Sequence, residues 1–307
     1  MWRPEREVEI VAGTPPGGGL DRCARALLQA LDANHLLDVP ARVTNVPGEG
    51  GRGAWKHLDR HRGDPHILCV SSINLTTDNL LGESPFRHEI AFTPLALLYN
   101  EPLAFLARSD SPIDTGAAFL ARCAADARSL TIALSIALGN PNHIALAKVV
   151  RHAGGDVTAP RLHVFDSALD AVADVTAGKS DVAVVTAVSA ARELSAGALR
   201  ALAIAAPRRA GGLYAQAPTW VELGVNCVVE SWRGTSGAHG ITPDQKAFWE
   251  QALAQAVASS EWKEALSRYY WTPMHLAGAP LREYLAHERK ELADTLSELG
   301  LLPGANG

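Results

Sequence analysis

Little in this 307-residue sequence invites metal or thiol chemistry. There are 4 cysteines, at positions 23, 69, 123 and 227, and no CxxC pair. A zinc ribbon or thioredoxin-type motif is therefore excluded, and buried free thiols are expected. No excess of basic residues exists: the formal net charge is −5, which disfavours a partner held by a basic surface such as nucleic acid. No apolar run reaches the roughly 18 residues of a membrane span. The nearest, from Val182, is cut by Arg192 and Glu193. The opening Met1-Trp2-Arg3-Pro4-Glu5-Arg6-Glu7 lacks the apolar stretch of a secretory leader. The expectation is either a mature extracytoplasmic chain or, if Met1 is the native start, a cytoplasmic one. Enzyme motifs are scarce too. HExxH does not occur, and Gly234-Thr235-Ser236-Gly237-Ala238 lacks the final glycine of a nucleophile elbow.

What is present is ordinary globular material, 47% hydrophobic and 20% charged, long enough for about two domains with a large core. Short apolar runs alternate with helical patterns, which predicts parallel sheets with crossover helices. Strands are expected at 8–12, 41–45, 67–70, 93–99, 103–107, 130–134, 162–165, 182–185, 199–205 and 227–231. Short helices are expected at 54–61 and 219–223. Thr242-Pro243-Asp244-Gln245 reads as a capping box with proline at the first helical position. Helices follow to about 258, then at 261–269 and 281–299. Two α/β lobes are expected, residues 1–105 with 233–307 and residues 106–232, with a ligand cleft between them.

Several strand-to-helix loops are built to hold an anion. Thr14-Pro15-Pro16-Gly17-Gly18-Gly19-Leu20-Asp21 combines exposed backbone donors with a helix N-terminus, where partial positive charge collects. Asp21 suits the first turn and can lock the loop. The glycines match neither a dinucleotide fingerprint, since position 22 is arginine, nor a P-loop. Asn45-Val46-Pro47-Gly48-Glu49-Gly50-Gly51 is a second such loop, and Ser71-Ser72-Ile73-Asn74 opens a third, on the same sheet edge. In the other half, Ser135 to His143 follows a strand and opens a helix through Gly139, Asn140, Pro141 and Asn142. Phe165-Asp166 and Thr186 end neighbouring strands. His57 and His61 lie among charged residues, as on a solvated helix face. His143 reads as a structural hydrogen-bonding residue or, as the rival, an acid–base group beside Ser135 and Asp166. Trp232 reads as hinge packing or as a cleft wall.

In order and spacing these segments resemble the substrate-binding proteins of tripartite tricarboxylate transporters, the TctC or Bug family. The resemblance rests on Pro15 to Asp21, Asn45 to Gly51, Gly63-Asp64-Pro65-His66-Ile67-Leu68, Ser135 to His143 with Ala137 at a family glycine, Leu199 to Ile204, Ala217-Pro218-Thr219, Glu222-Leu223-Gly224 and Ser231-Trp232-Arg233-Gly234. It implies a type II periplasmic-binding-protein fold, α/β in class, with a hinged interdomain cleft. It also implies a non-enzymatic receptor that captures a small carboxylate and delivers it to a membrane permease, as a monomer and without metal or cofactor. The implied ligand contacts are Pro16, Gly17, Gly18, Gly19, Asp21, Ser71, Ser72, Asn74, Ser135, Gly139, Asn142, His143, Phe165, Asp166 and Thr186. A carboxylate at Asp166, and another at Glu101, departs from many relatives and would favour a ligand bearing an amine or hydroxyl. The alternatives are a cytoplasmic ligand sensor, or a hydrolase or lyase on the same scaffold.

Overall fold

A computed structural model describes residues 2–303. The chain divides into two compact units: residues up to Asn100 with Trp232–Ala293, and Glu101–Ser231 with the residues from Asp294. The chain passes from one unit to the other at 100/101 and 231/232, and again at 293/294. The sequence reading set the first two crossings near 105/106 and 232/233.

In chain order the first unit begins β1 (Val8–Ala12), α1 (Gly19–Ala33), β2 (Ala41–Asn45), α2 (Arg52–Asp59), β3 (Ile67–Ser72), α3 (Asn74–Leu80), α4 (His88–Ala91) and β4 (Thr93–Asn100). The second unit holds β5 (Leu103–Arg108), α5 (Gly116–Asp126), β6 (Thr131–Ser135), α6 (Pro141–His152), β7 (Arg161–Phe165), α7 (Ala168–Thr176), β8 (Val182–Thr186), α8 (Ala191–Ser195) and β9 (Leu199–Ala205). The chain then supplies β10 (Trp232–Gly237), α9 (Pro243–Ala258), α10 (Ser260–Arg268), β11 (Thr272–Ala277) and α11 (Gly278–Glu298).

The first sheet has the order β11-β4-β10-β3-β1-β2. β1, β2 and β3 are parallel, so their following loops emerge on one edge. β10 runs antiparallel to β3 and β4, and places Trp232 and Arg233 beside Asn100 and Ser72 at that same edge. β1 and β3 read as continuous apolar runs because both their faces are covered. On one face Val8, Ile10, Leu68 and Val70 pack with Leu27 and Leu31 of α1 and Trp249 and Leu253 of α9. On the other, Val11, Ile67 and Cys69 pack with Trp55 and Leu58 of α2 and with Phe92. α1 is helical because Leu20, Cys23, Ala24, Leu27 and Leu31 recur at three- and four-residue spacing and are all buried.

The second sheet has the order β7-β6-β8-β5-β9. β6 is parallel to β7 and β8, whereas β5 runs antiparallel to β8 and β9. Ser135, Phe165 and Thr186 therefore end on one edge, with Leu103 opposite Thr186. Phe105 meets Trp220 edge-on, with ring centroids 4.9 Å apart, at the centre of this unit's core. Both sheets are mixed, not purely parallel. In each, a reversed inner strand, β10 or β5, is the first strand after a crossing.

Most expected elements stand; β11 is a strand that the sequence did not announce, and three further corrections apply. Residues 227–231 are irregular, and the strand lies one segment later, at β10. Residues 220–224 form a hydrogen-bonded turn in place of a helix, and Asn74–Leu80 is helical where a loop was expected. The capping box at Thr242 is formed as expected, with Gln245 N–H donating to the threonine hydroxyl and the Gln245 side chain accepting from Thr242 N–H. All four cysteines are free and buried. Burial pushes the thiols of Cys69, Cys123 and Cys227 up to about 12.

Candidate functional site

In the first unit, the loop between β1 and α1 is held from below by one carboxylate. Asp21 is 1% exposed. It accepts hydrogen bonds from Gly17 N–H at 2.7 Å, Arg25 Nε at 2.9 Å and Asn45 Nδ2 at 2.8 Å. Asn45 also donates to Thr14 O, and the Thr14 hydroxyl accepts from Asp21 N–H. Burial raises the Asp21 carboxyl, but Arg25, Asn45 and Gly17 together outweigh it and hold it below the usual range. Asp21 thus stays ionised and directs its oxygens into the loop. Gly17 has φ +82°, which favours glycine. A Cβ on Gly18 would lie 2.5 Å from the Thr14 hydroxyl.

The loop uses two of its own donors internally, Gly17 N–H on Asp21 and Gly18 N–H on Pro15 O. Pro16 and Gly17 are exposed, and Gly18 and Gly19 are half-buried. Gly18 caps α1 without a side chain. Among the described hydrogen bonds, Gly19 N–H and Leu20 N–H have no acceptor, at the positive end of a 15-residue helix. The second glycine loop supports the first: a Cβ on Gly13 would come within 2.9 Å of Gly51 O.

Ser71 and Ser72 end β3 at the same edge and are buried, while Asn74 is half-buried on α3. Ser71 Oγ lies 2.8 Å from Ser236 Oγ, which lies 2.8 Å from His88 Nε2. Burial pushes His88 down to about 4, so the imidazole is neutral at pH 7. Its ring stacks on Trp232, whose indole N–H donates to Glu288. Trp232 is accordingly a core residue of the first unit. Sequence reasoning missed His88, Ser236 and Glu288. Ser236 stands 165 residues from Ser71 and 148 from His88, and Glu288 56 from Trp232, with no local pattern to link them.

In the second unit the edge is built around Ser135. Its carbonyl accepts from Asn140 Nδ2 at 2.6 Å and its hydroxyl from Asn142 Nδ2 at 2.8 Å. Asn140 also caps α6, accepting from His143 N–H, and Pro141 follows at the first helical position. His143 Nδ1 accepts from Gly139 N–H at 3.0 Å. Burial lowers the His143 pKa, which keeps the ring neutral and Nδ1 an acceptor. Among the described hydrogen bonds none joins His143 to Ser135 or Asp166. Phe165 is half-buried and its carbonyl accepts from Ile136 N–H. Asp166 is exposed, and its side chain has no partner among the described hydrogen bonds and ion pairs. The Thr186 hydroxyl pairs with that of Ser189 at 2.8 Å. Glu101 is 1% exposed. Its N–H donates to Ser231 O.

His57 on α2 and His61 in the turn after it have ring centroids 4.6 Å apart in a tilted arrangement, and His57 faces Glu9 at 3.7 Å. Among the described residues no group of three or more His, Cys, Asp or Glu side chains is placed to hold a metal ion. No described helix is long and apolar enough to cross a membrane.

Comparison with known proteins returns a consistent answer. The sequence model described as "Tripartite tricarboxylate transporter family receptor" matches residues 24–301. Protein BugT of Bordetella pertussis is 24% identical over 301 residues, covering 97% of this chain and 90% of BugT. The Rhodopseudomonas palustris protein Rpa4515, solved with adipate, superposes with a TM-score of 0.84 at 18% identity, covering 98% of this chain and 99% of that one. MatC from the same organism, solved with malate, gives 0.75 at 23% identity over 96% of this chain and 98% of MatC.

Proposed function

The chain belongs to the tripartite tricarboxylate transporter receptor family, and from that premise we propose that it is a non-catalytic receptor for a small carboxylate. It works outside the cytoplasm and hands its ligand to a membrane permease. The observation that carries this reading is the loop of Pro16 to Gly19. Two N–H groups with no acceptor among the described hydrogen bonds, those of Gly19 and Leu20, open the 15-residue helix that follows, and a buried carboxylate, Asp21, braces the loop. Such an arrangement suits a ligand carboxylate, since the donors are preorganised and the helix end is positive. Two family-like structures carry malate and adipate, both carboxylates.

The contacts assigned to the ligand on the first unit are the segment Pro16 to Gly19, with Gly19 N–H as its available donor, and the donors around Ser72 and Asn74. On the second they are Ser135, the Gly139 to Asn142 helix start, Phe165, Asp166 and Thr186. Asp21 and Ser71 are positioning residues, because their side-chain oxygens are engaged within the protein, whereas His143 is held through Nδ1 and keeps Nε2 for the ligand. Asp166 has no partner of its own, so it disfavours a second ligand carboxylate and favours a ligand amine or hydroxyl. The test is a thermal-shift screen on unfolded and refolded protein with mono-, di- and tricarboxylates, hydroxy acids and amino acids. A ligand at 100 times Kd adds about 2.7 kcal/mol. A carboxylate hit recovered chemically unchanged supports the receptor. A flat screen on folded protein overturns it.

A further inference from the structure

Ile136 is the one β-branched residue among the described non-glycine positions with left-handed backbone, at φ +76°. Ala137 N–H donates to Ser135 O at 3.1 Å, which closes a three-residue turn with Ile136 at its centre. A γ-turn of this hand is the rare and strained form, and branching at Cβ adds to the strain. Ile136 N–H donates in turn to Phe165 O at 2.7 Å. The backbone is therefore fixed from both sides by the ends of β6 and β7. Strain of this sort collects at ligand clamps, where neighbouring structure over-determines the conformation.

The side chain held in this way is not buried. Ile136 is 39% exposed and Leu138 46% exposed, on either side of Ala137 and next to the clamped Ser135. Phe165 lies half-buried at the neighbouring strand end, followed by the unpartnered Asp166. Glycine or asparagine would relax the turn at position 136. An isoleucine there supplies only one thing, a branched hydrocarbon surface beside the polar groups of the edge.

We infer that Ile136 is a specificity-determining residue: with Leu138 and Phe165 it receives the hydrocarbon body of a monocarboxylate. This rests on the carboxylate-receptor reading and narrows it. Asp166 disfavours a second carboxylate at that end, and the apolar wall rewards a branched or aromatic body. The ligand class is a 2-hydroxy or 2-amino monocarboxylate with such a body, in preference to a short dicarboxylate.

The test is calorimetric titration of refolded protein with lactate, 2-hydroxyisocaproate and 3-phenyllactate, against malate and adipate. Each CH₂ buried on the wall tightens binding about fourfold, so Kd falls more than about tenfold from lactate to 2-hydroxyisocaproate. Ile136→Ala removes the bulk and keeps the turn, whereas Ile136→Asn removes the wall and suits left-handed backbone. Both variants reduce the gain from lactate to 2-hydroxyisocaproate by at least about threefold if the wall is used, since Ile136's share of the apolar area is lost while Leu138 and Phe165 remain. Unchanged ranking in the two variants, or malate and adipate binding tightest in the unaltered protein, would overturn the wall and leave the receptor standing. Binding by none of the five carboxylates would overturn the receptor reading itself, and the wall with it. A melting profile with the same cooperativity confirms that each variant is folded.

Discussion

The Asp21 carboxylate accepts a 2.8 Å hydrogen bond from the Asn45 side chain, tying the turn after the first strand to the end of the second. The same carboxylate takes the Gly17 N–H and the Arg25 guanidinium. One buried charge therefore sets the shape of the loop that presents Gly19 and Leu20. Asp21→Asn keeps the volume and removes the charge that all three donors address. Stability is expected to fall by about 2–3 kcal/mol at pH 7, the range for hydrogen bonds to a charged group. The pKa is depressed in the folded chain, so this contribution is present above the ordinary carboxylate value and is lost as pH falls through the folded one. Urea melts of the two proteins at pH 7 and pH 3 check it: the gap is expected to narrow on acidification.

The three glycines of the loop are predicted to behave differently. Gly18→Ala drives a methyl to 2.5 Å from the Thr14 hydroxyl, a clash expected to cost about 1–3 kcal/mol. Gly17→Ala has open space but needs φ +82°, at a cost of about 1–2 kcal/mol. Gly19→Ala has neither problem and sits in the first helical turn, so it is expected to leave stability equal or slightly higher. A loss of ligand affinity in Gly19→Ala at unchanged stability would mark close backbone approach by the ligand. Thermal melts and titrations on the three variants separate fold from binding.

Acid stability depends on two buried groups of opposite sign. Burial moves His88 from 6.5 to about 4. Between those values the unfolded chain binds more protons, so stability falls as pH falls. Burial moves Asp78 from 3.8 to about 6, despite Arg52 at 3.1 Å. There the folded chain binds more protons, and stability rises as pH falls. Each contributes a slope of up to about 1.4 kcal/mol per pH unit. Relative to the unaltered protein, His88→Phe is therefore expected to gain stability on going from pH 6 to pH 4, and Asp78→Asn to lose it. Parallel profiles for all three proteins in urea melts would contradict both assignments.

Asp166→Asn tests ligand choice directly. With the carboxylate gone, dicarboxylates are expected to gain affinity relative to hydroxy and amino acids of similar size, by about tenfold for one removed repulsion at a partly screened site. Unchanged ranking in competitive titrations would remove Asp166 from the site.

The legible parts of this molecule were those written locally. Val8–Ala12 and Leu199–Ala205 announce themselves as apolar runs, and Thr242 and Gln245 as a reciprocal cap. β10 was misplaced because its sequence, Trp-Arg-Gly-Thr-Ser-Gly, has low strand propensity. Gly234 is there for close approach, since a Cβ would lie 2.5 Å from Ala96 O. β11 was missed because it carries Pro273 and is largely exposed, features that suit only an edge strand, its position in the sheet. The anion-holding loop was readable from its glycines and the helix that follows. The roles within it were not. Asp21 and His143 turn inward because of Asn45 and Gly139, and Ser71 because of Ser236, which stands 165 residues away.

The central claim is that this chain binds a carboxylate and returns it unchanged. Isothermal titration of the refolded protein against a carboxylate panel, with mass-spectrometric recovery of the bound compound, tests it most directly. Saturable binding of at least one carboxylate with its mass unaltered is expected, as is loss of that binding when Gly18→Ala disrupts the first loop. Folded protein that binds no carboxylate, or that converts the one it binds, would contradict it.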